Sequence, residues 1–124
     1  MKILALPASV NSCHKVSGYA VKEIELMIHS NFGVFALEVE DINPLIQQSY
    51  EQDTVRPHCA VSWPASQAVA YALYMLLQNS DLGKSQRSIF EIGAGNGVAS
   101  LCAAQLGANV TATDIHPLAL ALVL

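Results

Sequence analysis

Residues 89–114 read IFEIGAGNGVASLCAAQLGANVTATD, and this stretch decides the fold. Ile89, Phe90 and Ile92 form a short apolar run that leads into glycines at 93, 95 and 97. Val98, Leu101, Cys102 and Leu106 then recur at helical spacing, and Gly107 stops the pattern. Val110 to Thr113 make a second β-rich run ending on Asp114. Strand, glycine turn, helix and strand form one βαβ unit, whose two strands run parallel.

Such a unit is built to hold a ligand. Glycines at alternate positions let the backbone turn sharply and remove the side chains that would block an approaching molecule. The helix that follows presents unpaired N–H groups and the positive end of its dipole over the turn. The carboxyl end of the second strand lies beside the same crevice, which places Asp114 where its carboxylate can accept from the two hydroxyls of a ribose. A nucleoside-containing ligand is expected.

The spacing bears on which nucleoside. In the dinucleotide pattern G-x-G-x-x-G, the third glycine position falls here on Val98. The run instead sets Glu91 two places ahead of Gly93, with Gly95 and Gly97 following. This resembles motif I of the class I S-adenosylmethionine-dependent methyltransferases. By that resemblance Glu91 lies near the amino acid end of the cofactor, Gly93, Gly95 and Gly97 pass under its adenosine, and Asp114 holds the ribose.

Composition narrows the partners. The 124 residues suffice for one small domain with a core; 52% are hydrophobic and only 13% charged. A net charge of −4, with six Lys and Arg that do not cluster, argues against nucleic acid. No apolar run reaches the length of a membrane-spanning helix, and Pro7 leaves the apolar start too short for a signal peptide. Cys13, Cys59 and Cys102 are odd in number and widely spaced, which suggests neither a disulfide framework nor a zinc site but a reducing, cytoplasmic setting. His14, His29 and His58 have no partner at metal-ligand spacing, so no metal is expected.

Upstream, residues 1–56 form a lead-in segment without a chemical motif. Ile3 to Leu6 is a candidate strand. Val21, Ile24, Met27 and Ile28 fall at helical spacing and predict an amphipathic helix over residues 19–29. Phe35, Leu37 and Val39 alternate with Ala36, Glu38 and Glu40 as in a half-buried strand. Asn43-Pro44 reads as a turn, and residues 47–57 as a polar loop.

From residue 57 onward the pattern becomes specific. Trp63-Pro64 precedes a helix with Val69, Ala72, Leu73, Leu76 and Leu77 on one face, closed by Asn79, Ser80, Asp81 and Gly83. A tryptophan there would pack the loop on the core. The order of Trp-Pro, amphipathic helix, polar link and motif I also resembles the family 16 branch of the class I methyltransferases, over roughly residues 58–124. That branch includes protein-lysine methyltransferases and nicotinamide N-methyltransferase-like relatives. The resemblance carries Trp63 into the cofactor pocket. It departs at Asp114-Ile115-His116-Pro117, where the family often has a second acidic residue and this chain has His116, which reads as a turn residue capping the helix that Pro117 begins.

The fold class expected is therefore α/β, a Rossmann-like doubly wound parallel sheet. With the sequence ending at Leu124, inside an apolar run that reads as a helix, that sheet is expected to be C-terminally truncated, with an exposed edge and poor solubility. Residues 57–124 would be the N-terminal part of an S-adenosylmethionine-binding domain. The implied activity is methyl transfer to a protein lysine. A small heteroaromatic amine is the other acceptor, and a non-catalytic cofactor-binding fragment or a nicotinamide-dependent oxidoreductase are the competing functions. No catalytic base is assigned, and oligomeric state is open.

Overall fold

The computed structural model describes residues 14–79 and 87–123. The expected βαβ unit is present. Strand β4 (Ser88–Ile92) pairs in parallel with β5 (Asn109–Thr113), in the register Ile89↔Val110 and Ile92↔Thr113. Helix α3 (Val98–Gln105) connects them and buries Val98, Cys102 and, just past its end, Leu106. Helix α4 (Pro117–Val123) follows β5, with Leu118, Ala119 and Leu122 buried. Among the described residues the parallel sheet has these two strands, so the architecture is mixed α/β with a small parallel sheet.

The first half departs from expectation. Residues Tyr19–His29 are not a helix but the long strand β2, flanked by β1 (His14–Val16) and β3 (Phe32–Val39) in an antiparallel three-stranded sheet. Two local causes override the helical spacing. Ser17 and Gly18 both take left-handed φ, of 52° and 87°, which folds β1 back on β2 in a two-residue hairpin. Beyond the turn, Ile24, Leu26 and Ile28 alternate with exposed Glu25, Met27 and His29, a period of two that matches a pleated face. The register slips between Met27 and His29, where Ile28 sits as the extra residue of a bulge.

Strand β3 forms as expected, but of the residues expected to point inward only Val39 is buried. Val34 and Ala36 are buried, whereas Phe35 is 57% exposed. The sheet is covered on both sides, at different ends. Val34, Ala36 and Ile28 meet Ala70, Leu77, Val98, Cys102 and Ala103 in one core cluster. Val21 and Val39 meet Leu45, Cys59, Ala60, Leu118 and Leu122 in a second. The hairpin is thus a wall of the same core that supports the glycine turn.

The expected turn and loop over residues 43–57 begin instead with helix α1 (Asn43–Glu51). Pro44 stands in its first turn, where the missing N–H is harmless, and Asp41 Oδ1 accepts from both Asn43 N (3.0 Å) and Asn43 Nδ2 (2.8 Å). Only Leu45 and Ser49, one turn apart, are buried. So thin an inward stripe leaves little periodicity in the sequence.

Helix α2 (Pro64–Gln78) is where expected, but rotated: it buries Ala70 and Leu77 and half-buries Leu73 and Tyr74, leaving Val69 and Leu76 exposed. The helix is apolar nearly all round, so periodicity does not select its inward face. The candidate strand Ile3–Leu6, Cys13 and the helix stop at Ser80, Asp81 and Gly83 lie outside the described residues. No helix among the described residues is long and apolar enough to cross a membrane.

Cys59 and Cys102 are free and buried. Cys102 Sγ donates to Ala70 O at 3.3 Å, tying α3 to α2. Burial pushes both thiols up from 9.0 to about 11, and the nearby Asp114 carboxylate adds to the rise at Cys59. The folded state therefore keeps both protonated where the unfolded chain already loses its protons. This contribution to stability is complete below about pH 9 and declines toward about pH 11. Urea unfolding across that window should show a loss of stability that the Cys59→Ala/Cys102→Ala protein largely lacks. Equal slopes for the two proteins would refute it.

Candidate functional site

The glycine turn is held by backbone bonds before any side chain acts. Gly93 N (2.8 Å) and Ala94 N (3.0 Å) both donate to Thr113 O, so the end of β5 pins the start of the turn. Thr113 Oγ1 donates to Glu91 O at 3.0 Å, closing the same junction from the other strand. Gly97 N donates to Ala94 O, and Gly97 O accepts from Leu101 N to open α3. Gly93, Gly95 and Gly97 all have left-handed φ, of 72°, 58° and 80°.

The glycines do not share one task. A Cβ at Gly93 would meet nothing within 4 Å, and one at Gly95 only Cys59 Cα at 3.8 Å, so this face of the turn is open. A Cβ at Gly97 would stand 2.5 Å from Val123 Cγ2. Gly97 is therefore the point at which α4 approaches the turn.

Gly93 and Gly95 border a cleft of about 590 Å3, together with Trp63, Glu91, Asn96 and Val69. Trp63 ends the loop before α2, is 49% exposed, and donates from Nε1 to His58 O at 2.7 Å, with its ring edge-on to the His58 ring. The indole is oriented, not loose. Glu91 reaches the cleft from β4, and its Oε2 accepts from the buried Ser100 hydroxyl one turn into α3.

Asp114 and Gly97 do not line this cleft. Asp114 divides its carboxylate between two backbone donors: Oδ2 accepts from Gly95 N (2.8 Å) and Oδ1 from His116 N (2.8 Å). It acts as an internal brace of the glycine turn, and each oxygen keeps a further lone pair. His116 Nδ1 accepts from Leu118 N at 3.2 Å, so the imidazole caps α4, as its place before Pro117 suggests.

Sequence reasoning passed over Asn96. It lies between Gly95 and Gly97, is 3% exposed, and donates from Nδ2 to Ser62 Oγ (2.6 Å) and Leu37 O (3.1 Å). Its signal was in view, a polar side chain in a turn otherwise made of Gly and Ala. Its partners are 34 and 59 residues away, which no local pattern reveals. Among the described residues no group of His, Cys, Asp and Glu is placed to hold a metal ion.

A family model described as lysine methyltransferase matches residues 43–123, a span from α1 to the end of α4. This chain belongs to the lysine methyltransferase family. The family match includes Trp63, the whole glycine turn and Asp114, and stops short of the hairpin. Protein-lysine methyltransferase METTL21E of Bos taurus is 41% identical over 59 residues, which is 48% of this chain and 20% of that protein. Protein N-lysine methyltransferase METTL21A of Danio rerio is 41% identical over 58 residues, 47% of this chain and 25% of that protein. The putative methyltransferase-like protein 21E pseudogene of Homo sapiens is 39% identical over 59 residues, 48% of this chain and 21% of that sequence. The match thus spans a quarter or less of the length of these relatives. No solved structure matches.

Proposed function

We propose that this chain carries the S-adenosylmethionine cradle of a protein-lysine methyltransferase, built on the beginning of a Rossmann-like sheet. The observation that carries this reading is the open face of the glycine turn. Gly93 and Gly95 have left-handed φ; a side chain would meet nothing within 4 Å at Gly93 and only Cys59 Cα, at 3.8 Å, at Gly95, beside the Glu91 carboxylate and the Trp63 ring. Such a cradle fits a nucleoside that carries an amino acid.

In this assignment the Gly93–Gly95 backbone lies against the adenosine, and Glu91, oriented by Ser100, pairs with the cofactor's ammonium group. Trp63 covers an apolar side of the cleft. Asp114 offers its spare lone pairs to the ribose while bracing the turn. S-adenosylmethionine, when bound, supplies an electrophilic sulfonium methyl for a nucleophilic amine. The chain's own share of the work is to bind, orient and exclude water, as expected where catalysis rests on positioning. The names of the Bos taurus and Danio rerio relatives favour a protein lysine over a small amine as acceptor. The free thiols of Cys59 and Cys102 suit a reducing compartment, which we take to be the cytoplasm.

Trp63 is the chain's single tryptophan, so its fluorescence reports on the cleft directly. Titration with S-adenosylhomocysteine should change that fluorescence saturably, with a matching calorimetric isotherm, while NAD leaves both silent. A chain shown by circular dichroism to be folded that responds to neither ligand, or to NAD alone, would overturn the assignment.

A further inference from the structure

The hairpin β2–β3 precedes the segment that matches the family, yet it reaches into the glycine turn. Glu38, on β3, is the start of a chain of hydrogen bonds. Its Oε1 accepts from Ser62 N at 2.7 Å, and its Oε2 is held by Lys22 Nζ at 3.4 Å on the neighbouring strand. Ser62, fixed at its backbone by that carboxylate, offers Oγ to Asn96 Nδ2 at 2.6 Å. The amide's other hydrogen goes to Leu37 O at 3.1 Å, on the same strand as Glu38. Both donors of Asn96 are therefore anchored to groups that β3 holds in place.

Asn96 stands between two residues with left-handed φ, where the backbone has no side chain of its own to stiffen it. At 3% exposure, water does not replace a lost partner cheaply. Neither Glu38 nor Ser62 borders the cleft, so any influence they have on a ligand there runs through the turn.

We propose that Glu38 and Ser62 are positioning residues for the cofactor site: through Asn96 they set the conformation of the glycine turn, and so make the hairpin part of the binding apparatus. The effect on cofactor affinity rests on the reading given under Proposed function; the effect on the turn does not.

The test uses the full chain with Ser62→Ala, Glu38→Ala, Glu38→Gln and Lys22→Ala, and two readouts. Ser62→Ala and Glu38→Ala should displace the amide resonances of Gly93 and Gly95 in the unliganded protein and speed their hydrogen exchange. Both should weaken S-adenosylhomocysteine about tenfold, the equivalent of one buried hydrogen bond. Glu38→Gln keeps an acceptor for Ser62 N and should restore both readouts. Lys22→Ala removes only the ion pair and should leave them at wild-type values. A purely structural role would lower the melting temperature while leaving the Gly93 and Gly95 resonances in place, and that result overturns the proposal. Equal loss in Glu38→Gln and Glu38→Ala would also overturn it. If the wild-type chain binds no S-adenosylhomocysteine while the turn amides still answer to Ser62→Ala, the cofactor assignment fails and the relay stands.

Discussion

Gly97→Ala is expected to destabilise the fold by roughly 2–5 kcal/mol, more than the equivalent change at either neighbouring glycine. Two separate penalties add. The φ of 80° is left-handed, which for a residue with a Cβ costs about 1–2 kcal/mol. The new methyl would also meet three carbons of Val123, at 2.5, 3.1 and 3.3 Å. These belong to a stiff β-branched side chain on α4, and overpacking of this kind costs about 1–3 kcal/mol. In a domain this small the melting temperature should fall by roughly 10 °C or more. Gly93→Ala is the informative contrast, since it shares the left-handed φ, at 72°, but has open space around it. It should lose only the conformational share, about 1–2 kcal/mol of stability, while blocking the cleft to S-adenosylhomocysteine. Adding Val123→Ala to Gly97→Ala should recover the steric share and leave the conformational share, a coupling that a double-mutant cycle by urea unfolding isolates. If Gly97→Ala stays within about 1 kcal/mol of the wild type, α4 does not approach the turn as described.

The difference between Gly93 and Gly97 marks the limit of what the sequence conveys. The pattern from Glu91 to Gly97 locates the turn, because glycines at alternate positions between a strand and a helix have few other uses. It does not say which glycine faces the cleft and which faces α4. That depends on Val123, 26 residues on and in a different element. The hairpin fails for a related reason. Val21, Ile24, Met27 and Ile28 satisfy a helical period and Ile24, Leu26 and Ile28 a strand period in the same eleven residues, and pairing with β3 decides between them. Ser17-Gly18 was the local clue, a turn dipeptide directly ahead of the run. Helix α2 shows the reverse case: its existence and its ends near Trp63-Pro64 and Asn79 are plain from the sequence. Its inward face is not, because Val69, Leu73, Leu76 and Leu77 are equally apolar and only the packing of Ala70 and Leu77 on α3 and the hairpin selects it.

Asp114→Ala should show how far the glycine turn depends on this carboxylate. The substitution strands two backbone donors, Gly95 N and His116 N, each now 2.8 Å from a carboxylate oxygen. A hydrogen bond to a charged acceptor contributes about 1.5–3 kcal/mol, and Asp114 is only half-buried, so water recovers part of the loss. A net destabilisation of about 2–4 kcal/mol is expected, with Gly95 and His116 showing the largest gains in amide exchange. Asp114→Asn can satisfy one donor with its carbonyl but turns its own N–H groups toward the other, so its stability should fall between the two proteins. Cys59 supplies an independent check. Burial is the larger cause of its raised thiol value and remains in the variant, whereas the contribution of the Asp114 charge disappears. The thiol should therefore titrate lower in both variants than in the wild type, and react sooner with an alkylating reagent as the pH rises. Affinity for S-adenosylhomocysteine distinguishes the two roles. If Asp114 only braces the turn, Asp114→Asn should lose affinity in proportion to its partial loss of stability. If the spare lone pairs hold the ribose, Asp114→Asn should bind about as weakly as Asp114→Ala, because an amide cannot accept from two hydroxyls and a backbone N–H together. Wild-type affinity in Asp114→Asn would remove Asp114 from the cofactor site and leave it as the fastener between β5 and the glycine turn.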